Sequence, residues 1–369
     1  MLREKPVIVQ QATDLSAIGG TTSEFNALKE SSLSEKYEIV PMVLPKVHKR
    51  INLQDIRFYY TFLKKIRPDI VQIRGAAVDG LNAQIAARMV PGTKILVCVY
   101  GMFSELVYMS PIKRMIHEHI VEPIIFHMCD GISCVYKRGD DRHQLKEYKN
   151  KLLPYVYNRM PSIENISSND KAVLRKELQI PAGAIVGVYC GRFNKEKGLS
   201  YLLDAFQMMK KMWPEHLHIL MIGDGDYREE FIEKCAGIGI SERIHCVGAK
   251  QNVHPYLRIS DFFVMPSLHE NHSIALLEAL AADLPVVSTD VGGNGEIVRD
   301  GIEGLLVPSA DGQKLGNGIL KMSNDEALRR VFKNNIAENA YPQFSNAHVD
   351  AQLDLVYQKM LSKGLRRQK

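Results

Sequence analysis

The chain has little cysteine, no paired metal-ligand motif and no long apolar run, and each shortage narrows what it can be. Six cysteines in 369 residues, at 98, 129, 134, 190, 235 and 246, include no Cys-x-x-Cys pair. Scattered singly, three of them inside or ending strand-like runs, they read as small buried hydrophobes and not as disulfide partners or metal ligands. The twelve histidines form no metal pattern either. His117 and His119 are two apart, which points them to different sides of a helix. No stretch approaches the roughly 18 apolar residues of a membrane span, and MLREKPVIVQQ at the start lacks the apolar stretch of a signal peptide. A cytoplasmic protein is the expectation. No element interleaves basic with aromatic residues, so nucleic acid is not an expected partner.

What is there is a globular composition, 46% hydrophobic and 24% charged, in a chain long enough for two domains of similar size. Net charge is uneven. Residues 1–157 hold 22 Lys and Arg against 16 Asp and Glu, or +6, and the remainder holds 25 against 26, or −1. A basic first half suits an anionic acceptor or an acidic membrane face, and equally an ordinary solvated surface.

Strand-like runs recur at 6–10, 37–43, 69–74, 94–100, 131–135 and 152–155, with helical patterns between most of them, such as 53–66 and 78–89. Such alternation predicts an α/β fold with a parallel sheet covered on both faces. After the first strand comes Ile18-Gly19-Gly20-Thr21-Thr22, where two glycines let backbone approach a ligand, although Gly-x-Gly-x-x-Gly is absent. Arg74 ends the third strand and Tyr100 the fourth. Strand C-termini line the crevice of such a sheet, so Arg74 is a candidate for an anionic substrate group or a salt bridge to a loop. Segment 109–128 is apolar with interspersed Lys113, Arg114 and Glu118 and a predicted break at Pro123. It reads as a core element or as an amphipathic surface for a membrane or lipid acceptor.

A polar link, NRMPSIENISSND from Asn158, separates this half from a second α/β series. Strands at 185–190, 216–222, 243–247, 261–265 and 285–288 alternate with helices at 197–212, 227–237 and 273–282. Glu278 is the only charge in the run 274–282, and a carboxylate in so apolar a helix requires a partner, either a ligand or a neighbouring cation. Ser273 caps that helix and leaves amides at Ile274, Ala275 and Leu276 for an anion. Glu278 then lies about 7 Å further along the axis, a spacing that suits phosphates on the amides and ribose hydroxyls on the carboxylate. Glu270, in the preceding loop, is placed to reach a sugar. Arg192, Lys195 and Lys197 gather in GRFNKEKG where another helix begins, an arrangement the helix dipole disfavours unless an anion sits among them. Gly223-Asp224-Gly225 and Gly292-Gly293 are further glycine-rich loops after strands.

GRFNKEKG, IGDGD and PSLHENHSIALLEALAADLPVVSTDVGGNGEIVRDGIEGLLVP, in that order and with two glutamates eight residues apart, resemble the C-terminal domain of the retaining GT-B glycosyltransferases of family 4. The resemblance covers about 187–308; the first half resembles the family only in architecture and its Gly-Gly loop. It implies two Rossmann-like domains with a cleft between them, an acceptor domain at 1–157 and a donor domain at 158–369, whose last helix, about 348–363, crosses back to the first. It implies that Arg192 and Lys197 hold the donor diphosphate, that Glu278 binds the ribose and that Glu270 stands beside the donor sugar. Backbone at His272, Ser273 and Ile274 would lie near the phosphates, with Gly223 in a neighbouring loop and Val247 and Ala249 by the base. Gly19 and Gly20 would close over the phosphates. No metal or other cofactor is implied, because cations and amides stabilise the leaving diphosphate. Where the family often has His in the first domain this chain has Tyr100 and Arg74, and Asn271-His272-Ser273 replaces Gly-Phe-Gly.

The expected activity is retaining transfer of a sugar from a nucleoside diphosphate to a hydroxyl of a glycan, glycolipid or lipid-linked acceptor, with peripheral membrane contact as an accompanying partner. A nucleotide-sugar epimerase and a non-catalytic nucleotide-sugar-binding subunit are the competing readings. The first would need acid and base groups near the sugar, for which Tyr100, Arg74 and His272 are a poor set.

Overall fold

A computed structural model describes residues 4–12, 20–44, 48 and 50–363. They fall into two compact units, Met1–Arg159 with Asn346–Lys369, and Met160–Ser345.

The first unit is built on five parallel strands, β1 (Val7–Ala12), β2 (Glu38–Val43), β3 (Ile70–Arg74), β4 (Lys94–Val99) and β5 (Gly131–Cys134), in the order β2-β1-β3-β4-β5. Ile70, Val71 and Ile73 of β3 and Ile95 to Val97 of β4 are fully buried, as a sheet covered on both faces requires. Helix Leu53–Ile66 opens on Asn52, whose side chain accepts from the amides of Gln54 (2.8 Å) and Asp55 (3.2 Å). The order reverses between β1 and β3, which makes their C-terminal ends this unit's crevice.

Two expectations fail here. Residues 152–155 are not a strand: only Leu152 bridges to Ile132, because the chain slips register, with Leu153 donating to Ile132 O (2.8 Å) and then Val156, not Tyr155, to Cys134 O (2.9 Å), while the Pro154 carbonyl between them accepts from Ser133 Oγ at 2.7 Å. Pro123 does not break the segment before it. Helical turns run Pro111–Ile116, His117–Val121 and Glu122–Met128, and the middle piece is a π turn. A proline ring collides with the carbonyl four residues back, and the wider turn ahead of it relieves that collision.

The last helix, Asn346–Ser362, packs within the first unit. Tyr357 is fully buried and donates to Gln72 Oε1 at 2.5 Å, and Lys94 Nζ donates to the carbonyls of Met360 (2.9 Å) and Leu361 (2.8 Å) at the helix's C-terminal end.

The second unit carries β6 (Ile185–Cys190), β7 (Leu217–Ile222), β8 (Ile244–Gly248), β9 (Phe262–Met265), β10 (Val286–Thr289) and β11 (Gly304–Val307), all parallel, in the order β11-β10-β9-β6-β7-β8. Numbered from β6 this is the Rossmann order 3-2-1-4-5-6, and its reversal point lies between β6 and β9. Phe193, Phe206 and Phe231 pack edge to face beneath it. All six cysteines are free thiols, four buried and Cys190 and Cys246 half-buried. Among the described residues no helix is long and apolar enough to cross a membrane.

Candidate active site

The loops leaving β6 and β9 emerge side by side at that reversal point. After β6 the chain runs through Gly191 to Asn194 into a 3-10 turn, Lys195–Lys197, which Asn194 caps by accepting from the Lys197 amide at 3.1 Å. The following helix begins at Leu199 and not at Lys197. Gly198 separates the two with φ +64°, and a Cβ on it would stand 1.9 Å from the carbonyl oxygen of Pro266 at the end of β9. Only glycine permits that approach of the two loops. The three cations therefore precede the helix and do not lie within its first turn.

Lys197 Nζ donates to Glu270 Oε1 at 2.6 Å, so residues 73 apart in sequence form an ion pair across the reversal point. Ser267, fully buried, donates from Oγ to the same oxygen at 2.8 Å, and its carbonyl accepts from Thr289 Oγ1 at 2.6 Å. Gly292 (φ +55°) supports this loop from behind. A Cβ there would lie 1.9 Å from Glu270 O, and the next amide, Gly293, donates to Asn271 O at 2.7 Å. The Gly292-Gly293 loop is thus a brace for Glu270. Sequence reasoning missed Ser267; the available signal was a small hydroxyl three residues before a loop glutamate.

Helix Ile274–Ala281 follows. Ser273 Oγ accepts from the Leu276 amide at 3.4 Å, so Leu276 is not open to an anion; the amides of Ile274 and Ala275 have no acceptor among the described residues. His272 is turned into the core with its ring 5.5 Å from Phe344, and burial pushes its pKa down to about 3, which keeps it neutral. It takes the place of an aromatic, and what it can present to a phosphate is backbone.

Glu278 is half-buried, and no described residue supplies it with a hydrogen bond or the salt bridge that was its alternative. Desolvation alone raises its pKa from 4.5 to about 7. The field of Glu278 acts on the Cys190 thiol together with that of Lys197, and Glu270 and Arg192 both act on the neighbouring Tyr189. All four side chains therefore surround the C-terminal end of β6. Arg192 is exposed and has no partner among the described residues, while its carbonyl accepts from Tyr189 OH at 2.8 Å.

Gly223, ending β7, donates its amide to Gly248 O at 3.0 Å, which joins the ends of β7 and β8. Val247 is half-exposed in β8, and Ala249 is exposed just beyond it.

The remaining candidates belong to the first unit. Arg74 Nη2 donates to Gln10 Oε1 at 3.0 Å, and its guanidinium lies 5.7 Å from the Tyr100 ring centroid, so the ends of β3 and β4 hold each other. Gly20 opens helix Gly20–Lys29, and Gly19 lies outside the described residues. Asp79, in the first turn of helix Val78–Arg88, was not anticipated; burial raises its pKa beside the end of β3.

Residues 170–339 match the family model described as glycosyl transferases group 1. This part of the chain is a glycosyl transferases group 1 domain. It is 33% identical over 189 residues to the lipopolysaccharide core biosynthesis glycosyltransferase LpsE of Rhizobium meliloti (strain 1021), a match that covers 51% of this chain and 54% of LpsE. N-acetyl-alpha-D-glucosaminyl L-malate synthase of Bacillus anthracis is 24% identical over 295 residues, 79% of this chain and 75% of that one. The chain thus spans about half the length of LpsE and three quarters of the malate synthase. The structure of Anabaena Alr3699/HepE in complex with UDP-glucose superposes with a TM-score of 0.77 at 15% identity, over 96% of this chain and 99% of that one. At that identity the likeness establishes the fold, two Rossmann-like units of the GT-B type. The group 1 domain holds every candidate side chain around β6.

Proposed function

We propose that the protein is a retaining glycosyltransferase that moves a sugar from a nucleoside diphosphate to a hydroxyl of a glycan, glycolipid or lipid-linked acceptor. The observation that carries this reading is Glu278, a half-buried carboxyl on the helix whose first amides are those of Ile274 and Ala275, none of the three having a partner among the described residues. A ribose supplies the hydroxyl donors that Glu278 lacks, and a diphosphate supplies the acceptor for the amides and for Lys197 and Arg192.

In the reaction the bond from the anomeric carbon to the diphosphate oxygen breaks as the acceptor oxygen bonds to the same face. The departing phosphate takes the acceptor proton, so no protein base is needed. Lys197, Arg192 and the helix amides stabilise the charge that develops on the diphosphate, and this reading requires no metal. Glu270, held by Ser267 and Lys197, stands beside the sugar. Arg74 and Tyr100 are assigned to the acceptor. The LpsE and malate synthase names support an acceptor of the glycan or small-hydroxyl class. A cytoplasmic enzyme in peripheral contact with a membrane face is part of the same proposal.

The test is a thermal-shift screen with UDP, GDP, ADP and their sugars, followed by incubation of the stabilising donor with and without acceptor. A ligand at 100 times its dissociation constant stabilises by about 2.7 kcal/mol. Transfer with retained anomeric configuration is expected. A changed sugar from donor alone would make the protein an epimerase, and binding without transfer or hydrolysis would make it a binding subunit.

A further inference from the structure

The first unit holds a polar cluster beside β1 that Arg74 and Tyr100 do not account for. Helices Leu53–Ile66 and Val78–Arg88 pack side by side. Asn82 of the second, fully buried, fastens the chain ahead of the first: its Nδ2 donates to the Arg50 carbonyl (3.0 Å) and its Oδ1 accepts from the Asn52 amide (3.2 Å). Asp55, buried in the first turn of helix Leu53–Ile66, accepts from His48 twice, from ring Nδ1 (2.8 Å) and from the backbone amide (3.4 Å). With its proton on Nδ1, the neutral ring presents Nε2 as an acceptor from a half-exposed position, and no described residue donates to it.

One turn along the same helix, Tyr59 is fully buried. Burial pushes its phenol up to about 12 against the hydrogen bond from Gln11, and the charges of Asp79 and Asp55 add to the shift, so both carboxylates lie around one hydroxyl. Gln11, in β1 and 3% exposed, donates from Nε2 to the Tyr59 hydroxyl (3.4 Å), while its Oε1 is buried and meets no donor among the described residues. Asp79 is half-buried, and the only donors to it among the described residues are the amides of residues 79 and 80. Gln11 Oε1, Asp79 and His48 Nε2 are thus acceptors in want of donors. Hydroxyls supply them, whereas a phosphate or carboxylate would bring only further acceptors and like charge. An ammonium donates too, but Asp55 is already matched by His48, and burial works against charge on Asp79.

We infer that this cluster selects the acceptor by taking the hydroxyl face of a neutral sugar, with His48, held by Asp55, and Asp79 as its specificity-determining residues and Gln11 at its floor. This deepens the proposed function by naming the acceptor's chemical class, and it rests on that function for its purpose. The full chain is tested by saturation-transfer NMR with the methyl α-glycosides of glucose, galactose and mannose as neutral probes, and with methyl glucosides carrying a carboxylate at C6 or an amine at C2 as charged ones. Expected are binding of at least one neutral glycoside, weaker binding of both charged sugars, and a loss of affinity of roughly tenfold or more in His48→Ala and in Asp79→Asn. Asp55→Asn, which still accepts from Nδ1, should keep the binding that Asp55→Ala loses. The thermal shift given by a nucleotide should be unchanged in these variants, which shows that they fold. A wild-type chain that binds a glycoside and gives no nucleotide shift would sink the donor reading and leave the sugar subsite standing. Failure of every neutral glycoside to bind, tighter binding of either charged sugar, or binding insensitive to the His48 and Asp79 changes overturns the subsite.

Discussion

Replacing Glu278 by glutamine should make the ligand-free protein more stable and the liganded one weaker. The shift of this carboxyl from 4.5 to about 7 corresponds to about 3 kcal/mol of unfavourable ionisation in the folded state. Between those two values the folded protein holds a proton that the unfolded chain has released. Stability therefore falls as pH rises through this window, and the deficit is complete above about pH 7. Glutamine stays neutral throughout. The variant should match the wild type near pH 4 and exceed it by up to about 3 kcal/mol near pH 8, roughly 6–12 °C in melting temperature for a unit of this size. Affinity should move the other way, because a hydrogen bond to a charged acceptor contributes about 1.5–3 kcal/mol and its loss weakens nucleotide binding roughly 10- to 150-fold. Melting curves across pH, with and without the nucleotide that stabilises the wild type, read both effects. A Glu278→Gln variant unchanged in melting at pH 8 and in nucleotide affinity would show that Glu278 is neither strained in the free state nor a ligand.

Three further outcomes follow from the same geometry. Lys197→Ala should lower kcat at saturating donor by tenfold or more, about 1.4 kcal/mol, because it removes both a phosphate cation and the partner that orients Glu270; steady-state kinetics with acceptor in excess decide it. Gly292→Ala forces a Cβ toward Glu270 O and should cost at least about 2 kcal/mol in thermal or urea unfolding, with loss of activity as the brace moves. His272→Phe should keep activity and flatten acid sensitivity. The wild-type imidazole, depressed from 6.5 to about 3, costs stability as pH falls below 6.5 while the unfolded chain gains a proton, and phenylalanine removes that slope in melting curves from pH 7 to 4.

Much of the candidate site could be read locally. Asn52, Ser273 and the β-branched runs announce their own elements within a few residues, and Glu278 stands out as the one charge in an apolar helix. Misreadings arise where a local signal competes with a longer-range one. Pro123 signals the end of a helix that a π turn carries past it. Residues 152–155 have strand composition, yet a one-residue slip between Leu153 and Val156 leaves one bridge to β5. Ser267 escapes notice because, although Glu270 lies only three residues on, its other partner Thr289 comes from the next strand, 22 residues away, and no local pattern shows the two contacts fixing one loop.

The amino-acid order alone determined the α/β class, the division into two α/β series and the loops that carry charge at strand ends, since periodicity, caps and turn residues act over a few positions. Tertiary structure decided which loops meet. Parallel pairing of β6 with β9 sets the reversal point of the sheet there, and so joins Lys197 to Glu270 across 73 residues. It also decided that no cation among the described residues pairs with Glu278. Strand order and the electrostatic surroundings of a buried carboxyl depend on neighbours distant in sequence, and no local pattern encodes them.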